Sequence, residues 1–178
     1  MYRKAIILTA KDVQDEEFIY PYYRLQEAGY DLDVVVCGKE PYVCKYGSPI
    51  RPAPGKSLIK STQLELKYDL VVIPGGWAPE AVRMDQTILN FVHSSWKAGY
   101  IISAICHGPQ VLISAHICRD KKMTCFDGIA SDLINAGACY AGRGTFVDGN
   151  IVTADHYREN HNWMRETLRL VDSKYVVH

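Results

Sequence analysis

Short, continuously apolar runs alternate along this chain with longer stretches in which apolar residues recur every three or four positions. Ala5-Ile6-Ile7-Leu8, Leu32 to Cys37, Asp69 to Pro74 and Tyr100 to Ile105 have the length and unbroken hydrophobicity of strands buried on both faces. Phe18, Tyr22 and Leu25 predict a helix over about 15–28, stopped by Gly29 and either kinked at Pro21 or started near it. Residues near 79–98 predict one helix closed by Gly99. A short helix to about Ala115, strands at Lys122 to Cys125 and Phe146 to Ala154, a helix around Ser131 to Ala136 and a final helix from about Arg158 to Val171 complete the pattern. Tyr46 to Ser61, with three prolines and two glycines, reads as loop or edge structure. Such alternation predicts an α/β protein whose mostly parallel sheet is covered on both faces. In sheets of that kind, functional residues gather beyond the carboxyl ends of the strands.

Composition narrows the picture. The 178 residues are the size of one domain, spanning 1–178, and 48% hydrophobic with 22% charged residues is ordinary for a globular chain. Twenty Lys+Arg balance twenty Asp+Glu, so no net field favours nucleic acid or an anionic membrane as a partner. No apolar run reaches the length of a membrane span, and the stretch after Met1-Tyr2-Arg3-Lys4 is too short for a signal peptide, so a cytoplasmic location is expected. The six cysteines, at 37, 44, 106, 118, 125 and 139, contain no C-x-x-C pair. They read as reduced and mostly as small buried hydrophobes, with no metal site.

One segment stands apart. In Ala104-Ile105-Cys106-His107-Gly108 a buried strand ends in a nucleophile-type residue with small neighbours at minus two and plus two, and a helix follows at once. This is the layout of a nucleophile elbow, with Cys in place of Ser. The turn would set the sulfur at a helix N-terminus, which favours thiolate, with the His107 N–H aimed where an oxyanion develops. Gly75-Gly76, after the third strand, would let backbone amides approach the substrate as the other half of that site. Candidate acids are Glu16 or Glu17, after the first strand, and Glu80, after the glycine pair. The His107 side chain is expected to point away from the sulfur. His156 and His161 match no H-E-x-x-H pattern.

Ala-Ile-Cys-His-Gly-Pro-Gln at 104–110, Pro-Gly-Gly-Trp-Ala-Pro-Glu at 74–80, Glu17-Phe-Ile-Tyr-Pro21 and Ile-Asn-Ala-Gly-Ala at 134–138 resemble the ThiJ/PfpI family, in order and over about residues 4–171, leaving a tail at 172–178. The elbow and the Gly-Gly-x-Ala-Pro-Glu turn are closest to its PfpI branch. The resemblance implies a flavodoxin-like three-layer sandwich related to class I glutamine amidotransferases. It implies Cys106 as nucleophile, Glu17 as the buried carboxyl against its sulfur, and His107 as the histidine after the elbow. Glu80 would be the glutamate that reaches a neighbouring subunit's histidine in a homodimer or hexamer. Departures fall on the pocket. Gln14 stands where a second acid is common, Phe126 where Tyr or His is common, and Asp155, beside His156, where Arg is frequent.

The resulting expectation is a cysteine-dependent, cofactor-free enzyme acting on small reactive carbonyls or glycated adducts. A PfpI-type peptidase taking short peptides is the second enzyme reading. An oxidative-stress sensor or holdase, with Cys106 reversibly oxidised, is the non-enzyme alternative.

Overall fold

The computed structural model describes residues 3–175; the last three positions of the predicted tail lie outside it. Strands β1 (Lys4–Ala10), β2 (Asp31–Cys37), β3 (Leu70–Ile73), β4 (Ile101–Ile105), β7 (Thr145–Asp148) and β8 (Ile151–Ala154) form one sheet in the order β2-β1-β3-β4-β8-β7. All neighbours are parallel except β7 and β8. A second, two-stranded parallel sheet joins β5 (Lys122–Met123) to β6 (Cys139–Tyr140). Ile6, Ile7, Leu8, the whole of β3 and the whole of β4 are fully buried, because a parallel sheet with helices on both faces leaves its central strands no wet side.

Helix α1 (Asp15–Glu27) passes through Pro21 and packs against α6 (Asn160–Tyr175). The α6 stripe of Trp163, Met164, Thr167, Leu168 and Val171 is buried at helical spacing, and Thr167 Oγ1 meets Ser103 Oγ of β4 at 2.6 Å. Helices α2 (Ala78–Val82), α3 (Gln86–Lys97), α4 (Pro109–Ser114) and α5 (Ala130–Asn135) supply the remaining cover, α4 touching each of the other three.

Three expectations about elements need correction. The single helix over 79–98 is two. Asp85, extended at φ −91°, accepts from the amides of Thr87 at 2.9 Å and Ile88 at 3.3 Å and starts α3 afresh. An aspartate that caps cannot also be interior, and the apolar spacing hid that choice. The strand at Phe146 to Ala154 is a hairpin that turns at Gly149, where φ is +59°. Asp148-Gly149 is the turn signal that the apolar run outweighed. The final helix starts at Asn160 and continues to Tyr175, into the predicted tail.

The chain leaves β1 towards β2 on one side and reaches β3 on the other. β1 and β3 pair side by side, and the connections leaving their carboxyl ends run to opposite sides of the sheet, the switch point that α/β sheets use for ligands.

Candidate functional site

Cys106 follows β4 directly and sits at φ +59°, in the left-handed region that L-residues other than Asn and Asp seldom occupy. The surrounding fold holds it there. Its N–H donates to Ala154 O at 2.9 Å and its carbonyl accepts from Phe126 N at 2.9 Å. Gly108 makes the turn possible, since a Cβ there would lie 2.3 Å from Ile73 O and 2.8 Å from Ile105 O. The small residue two places past the nucleophile is thus demanded by backbone packing from β3 and β4. The elbow read from the sequence is the elbow in the fold, and strain of order 1–3 kcal/mol is kept at this residue.

Glu17 is fully buried in the first turn of α1. One carboxyl oxygen, Oε2, accepts the Gly75 N–H at 2.8 Å. The other, Oε1, has no hydrogen-bond partner among the described residues, and the Cys106 thiol is the side chain whose neighbourhood acts on this carboxyl. Burial raises the Glu17 pKa to about 7 against these influences. Burial and the neighbouring Glu17 carboxyl also push the Cys106 thiol upward, while the amides of Gly76 and His107, donating towards the sulfur, pull it down. Two acids this close cannot both ionise readily, so they titrate as a pair. The expected thiolate preference of a helix N-terminus is thereby tempered. The charge on sulfur depends on Glu17 keeping its proton, and the short α4 does not secure it alone.

Two further expectations are refined. Gly75 and Gly76 were read together as oxyanion donors. The Gly75 amide is spent on Glu17, so the amides facing the sulfur are those of Gly76 and His107. Gly75 has a different necessity, because a Cβ there would meet Glu17 Oε2 at 2.6 Å and Cys106 Cβ at 2.8 Å. Of the candidate acids, Glu16 is exposed and accepts from Gln14 Nε2 at 2.6 Å, which leaves Glu17 as the carboxyl beside Cys106.

His107 stacks on Phe126, with centroids 4.9 Å apart and planes at 23°, and has Trp77 at 5.7 Å on another side. Its Nδ1 is buried without a partner among the described residues, and burial lowers its pKa, so the ring is neutral near pH 7. Phe126 therefore supplies a stacking face in place of a hydrogen bond. Glu80 is exposed on α2 and lines a separate surface cavity with Lys11, Asp12 and Lys39. Within one chain it makes no hydrogen bond to His107.

The cavity over the sulfur has a volume of about 230 Å³. Gln14, His107, Phe126 and His156 line it, as expected, together with Lys45, Tyr46, Trp77 and Tyr157, which sequence reasoning missed. Trp77 could have been found, since it directly follows the glycine pair. Lys45, Tyr46 and Tyr157 come from non-repetitive segments with no periodic signal. Asp155 stays off this wall; it accepts Gly144 N at 3.0 Å and lines the adjoining cavity. No cluster of three or more His, Cys, Asp or Glu suited to a metal occurs among the described residues. None of their helices is long and apolar enough to cross a membrane.

A 35% identity links the chain over 171 residues to Deglycase PfpI of Pyrococcus furiosus, covering 94% of this chain and 99% of that protein. Protein/nucleic acid deglycase 2 of Escherichia coli is 31% identical over 96% of this chain and 99% of that one. A crystal structure of an Anabaena variabilis protein with DJ-1/ThiJ/PfpI-like and ferritin-like domains superposes with a TM-score of 0.88 at 34% identity, over 96% of this chain. This chain spans about half of that two-domain protein, 48% of its length. Drosophila melanogaster DJ-1beta, 23% identical with a TM-score of 0.81, shares the fold over the full length of both chains. The DJ-1/PfpI family model matches residues 3–170, a span that holds the elbow, the glycine pair and Glu17; the chain belongs to the DJ-1/PfpI family.

Proposed function

We propose that this protein is a cysteine-dependent enzyme that converts small reactive carbonyl compounds, or the early adducts they form with amines, through a covalent adduct on Cys106. The observation that carries the reading is the Cys106–Glu17 pair, a strained thiol sharing a buried carboxyl whose pKa is about 7. A general acid–base works best with its pKa near the working pH. Deglycase-named relatives covering nearly the whole chain support the same chemistry.

For a 2-oxoaldehyde the sequence is as follows. The thiol proton passes to Glu17, the thiolate lone pair bonds to the aldehyde carbon, the C=O π pair moves to oxygen, and Glu17 delivers the proton there, giving a hemithioacetal. The Gly76 and His107 amides stabilise the negative oxygen as it forms. Glu17, now a carboxylate, takes the proton from the former aldehyde carbon to give an enediolate, and the hydroxyl proton moves across to the former ketone oxygen. Return of a proton to the adjacent carbon leaves a thioester of a 2-hydroxy acid. Water cleaves that thioester, releasing the acid and regenerating the thiol. The net change is addition of water; the aldehyde is oxidised and the ketone reduced within one molecule. In a glycated amine, the same attack at the adduct's carbinol carbon expels the amine. No organic cofactor or metal is part of this scheme.

Lactate release from methylglyoxal and cleavage of a labelled peptide, each measured for wild type and Cys106→Ala, test the proposal. Lactate formation that disappears in Cys106→Ala supports it. Peptide cleavage without lactate formation replaces it with the peptidase reading. Reversible oxidation of Cys106 without either turnover replaces it with the redox sensor.

A further inference from the structure

Lys45 is the one Lys or Arg on the wall of the Cys106 cavity, and it makes no ion pair among the described residues. Its place depends on a clamp. Asp15, only 7% exposed at the start of α1, accepts the Tyr46 N–H at 2.8 Å and the Ser48 N–H at 3.3 Å. The same turn is closed within itself by Cys44 N to Ser48 O at 2.7 Å and Gly47 N to Cys44 O at 3.0 Å. It is tied to the segment after β1 by Lys45 N to Val13 O at 2.8 Å and Asp12 N to Val43 O at 2.9 Å. A buried carboxylate satisfied by backbone amides of a distant turn is a costly group to keep unless that turn must stay put. What the turn carries into the site is Lys45 and Tyr46.

We infer that the Asp15-clamped turn at 44–48 presents Lys45 as the anion-reading group of the Cys106 cavity, so that the site selects carbonyl ligands bearing a carboxylate close to the reacting carbon. Asp15 is a positioning residue in this scheme and touches no substrate. Lys45 is exposed at the rim of the cavity, and its charge lowers the Glu17 and His107 pKa values by less than burial shifts them. Glu17 is the one acid in the lining, and burial, which raises its pKa to about 7, keeps it from opposing an anionic ligand below that pH; no other lining group apart from Lys45 carries a fixed charge. The inference rests on the reading of Cys106 as the nucleophile and adds the class of ligand.

Alkylation separates the two claims, because it needs the thiol and the local field but no turnover. In either case the sulfur bonds to the CH2 carbon and iodide leaves with its electron pair. Iodoacetate carries a carboxylate next to that carbon and iodoacetamide is its neutral counterpart. The rate ratio iodoacetate/iodoacetamide at Cys106, measured by peptide mass mapping at low salt, is compared with the ratio for N-acetylcysteine. Wild type should exceed the free thiol by about five- to tenfold, as expected for one cation several ångströms away at the edge of a protein. The excess should shrink at 0.5 M salt. Lys45→Gln should lose it and Lys45→Arg should keep it. Asp15→Ala should lose most of it with Lys45 still in the chain, and Asp15→Asn, which keeps one acceptor oxygen, should fall between. A wild-type ratio equal to that of N-acetylcysteine overturns the inference, as does a Lys45→Gln ratio equal to wild type. If Asp15→Ala folds and keeps the full ratio, the clamp is wrong. If neither reagent reaches Cys106, the nucleophile reading falls first and the inference falls with it.

Discussion

Cys106 and the neighbouring pair Cys118 and Cys125 are all buried thiols, at 8%, 1% and 0% exposure. Burial pushes each of them up, Cys118 and Cys125 to about 12 and Cys106 higher still, with the Glu17 carboxyl adding to it. Burial and acidity therefore fail to single out the nucleophile. What differs is directional. Cys106 has a left-handed backbone, two amides aimed at its sulfur, a carboxyl sharing its proton and a cavity of about 230 Å³ in front of it. Cys118 also lines a cavity, beside Arg83, His116, Arg119 and Asp132, so a cavity alone does not set Cys106 apart; neither Cys118 nor Cys125 has a left-handed backbone or amides and a buried carboxyl directed at its sulfur. A thiol becomes chemical equipment through the groups that hold it, and a cysteine in the core without them is a small hydrophobe.

The contrast breaks most sharply on activity. Cys106→Ala should reduce methylglyoxal turnover by about a thousandfold or more, since no second thiol lines the cavity, whereas Cys118→Ala should remain within about a factor of two of wild type. Initial lactate-release rates decide it. Comparable losses in both variants would mean that the cavity chemistry does not depend on the elbow.

The shared proton gives the next largest effect. Burial raises Glu17 to about 7, so between its ordinary value of 4.5 and pH 7 the folded chain holds a proton that the unfolded chain has released. The stability from this group is complete below about pH 4.5 and declines as pH rises towards 7, by about 3 kcal/mol in all. Glu17→Gln is fixed in the neutral form. Relative to wild type it should gain about that amount between pH 4.5 and 7.5, read from urea unfolding midpoints and slopes. Its turnover should fall by about 10²–10⁴-fold, because an amide moves no proton. A stability difference that does not change with pH would show that Glu17 is ionised in the folded chain.

A smaller effect, of opposite sign at the two places, tests the strain. Cys106→Gly should be more stable than Cys106→Ala by about 1 kcal/mol, because glycine accepts a φ of +59° without steric cost. Cys118, which has no left-handed backbone, should show the reverse order, with Gly less stable than Ala. Chemical denaturation of the four variants measures both differences. The same order at both positions would remove strain from the description of the elbow.

The chain's local pattern was enough to determine the strands at β1 to β4, the helices after β1 and β4, the elbow at Cys106 and the necessity of a small residue at Gly108. Each rests on forces acting between near neighbours, namely burial of continuous apolar runs and the sterics of one tight turn. The same pattern misread 79–98 and 146–154, where Asp85 and Asp148-Gly149 compete with apolar spacing that continues past them. The local pattern could only shortlist Glu17 beside Glu16, and the family resemblance made the choice, because adjacent residues on a helix face opposite environments only once α1 is docked on the sheet. The diversion of the Gly75 amide to that carboxyl, the stacking of His107 on Phe126 and the arrival of Lys45 on a turn clamped by Asp15 were decided by tertiary structure alone. These contacts join residues 19 to 58 positions apart, and their energies come from burial, stacking and hydrogen-bond geometry that exist only after the sheet has brought its carboxyl edges together.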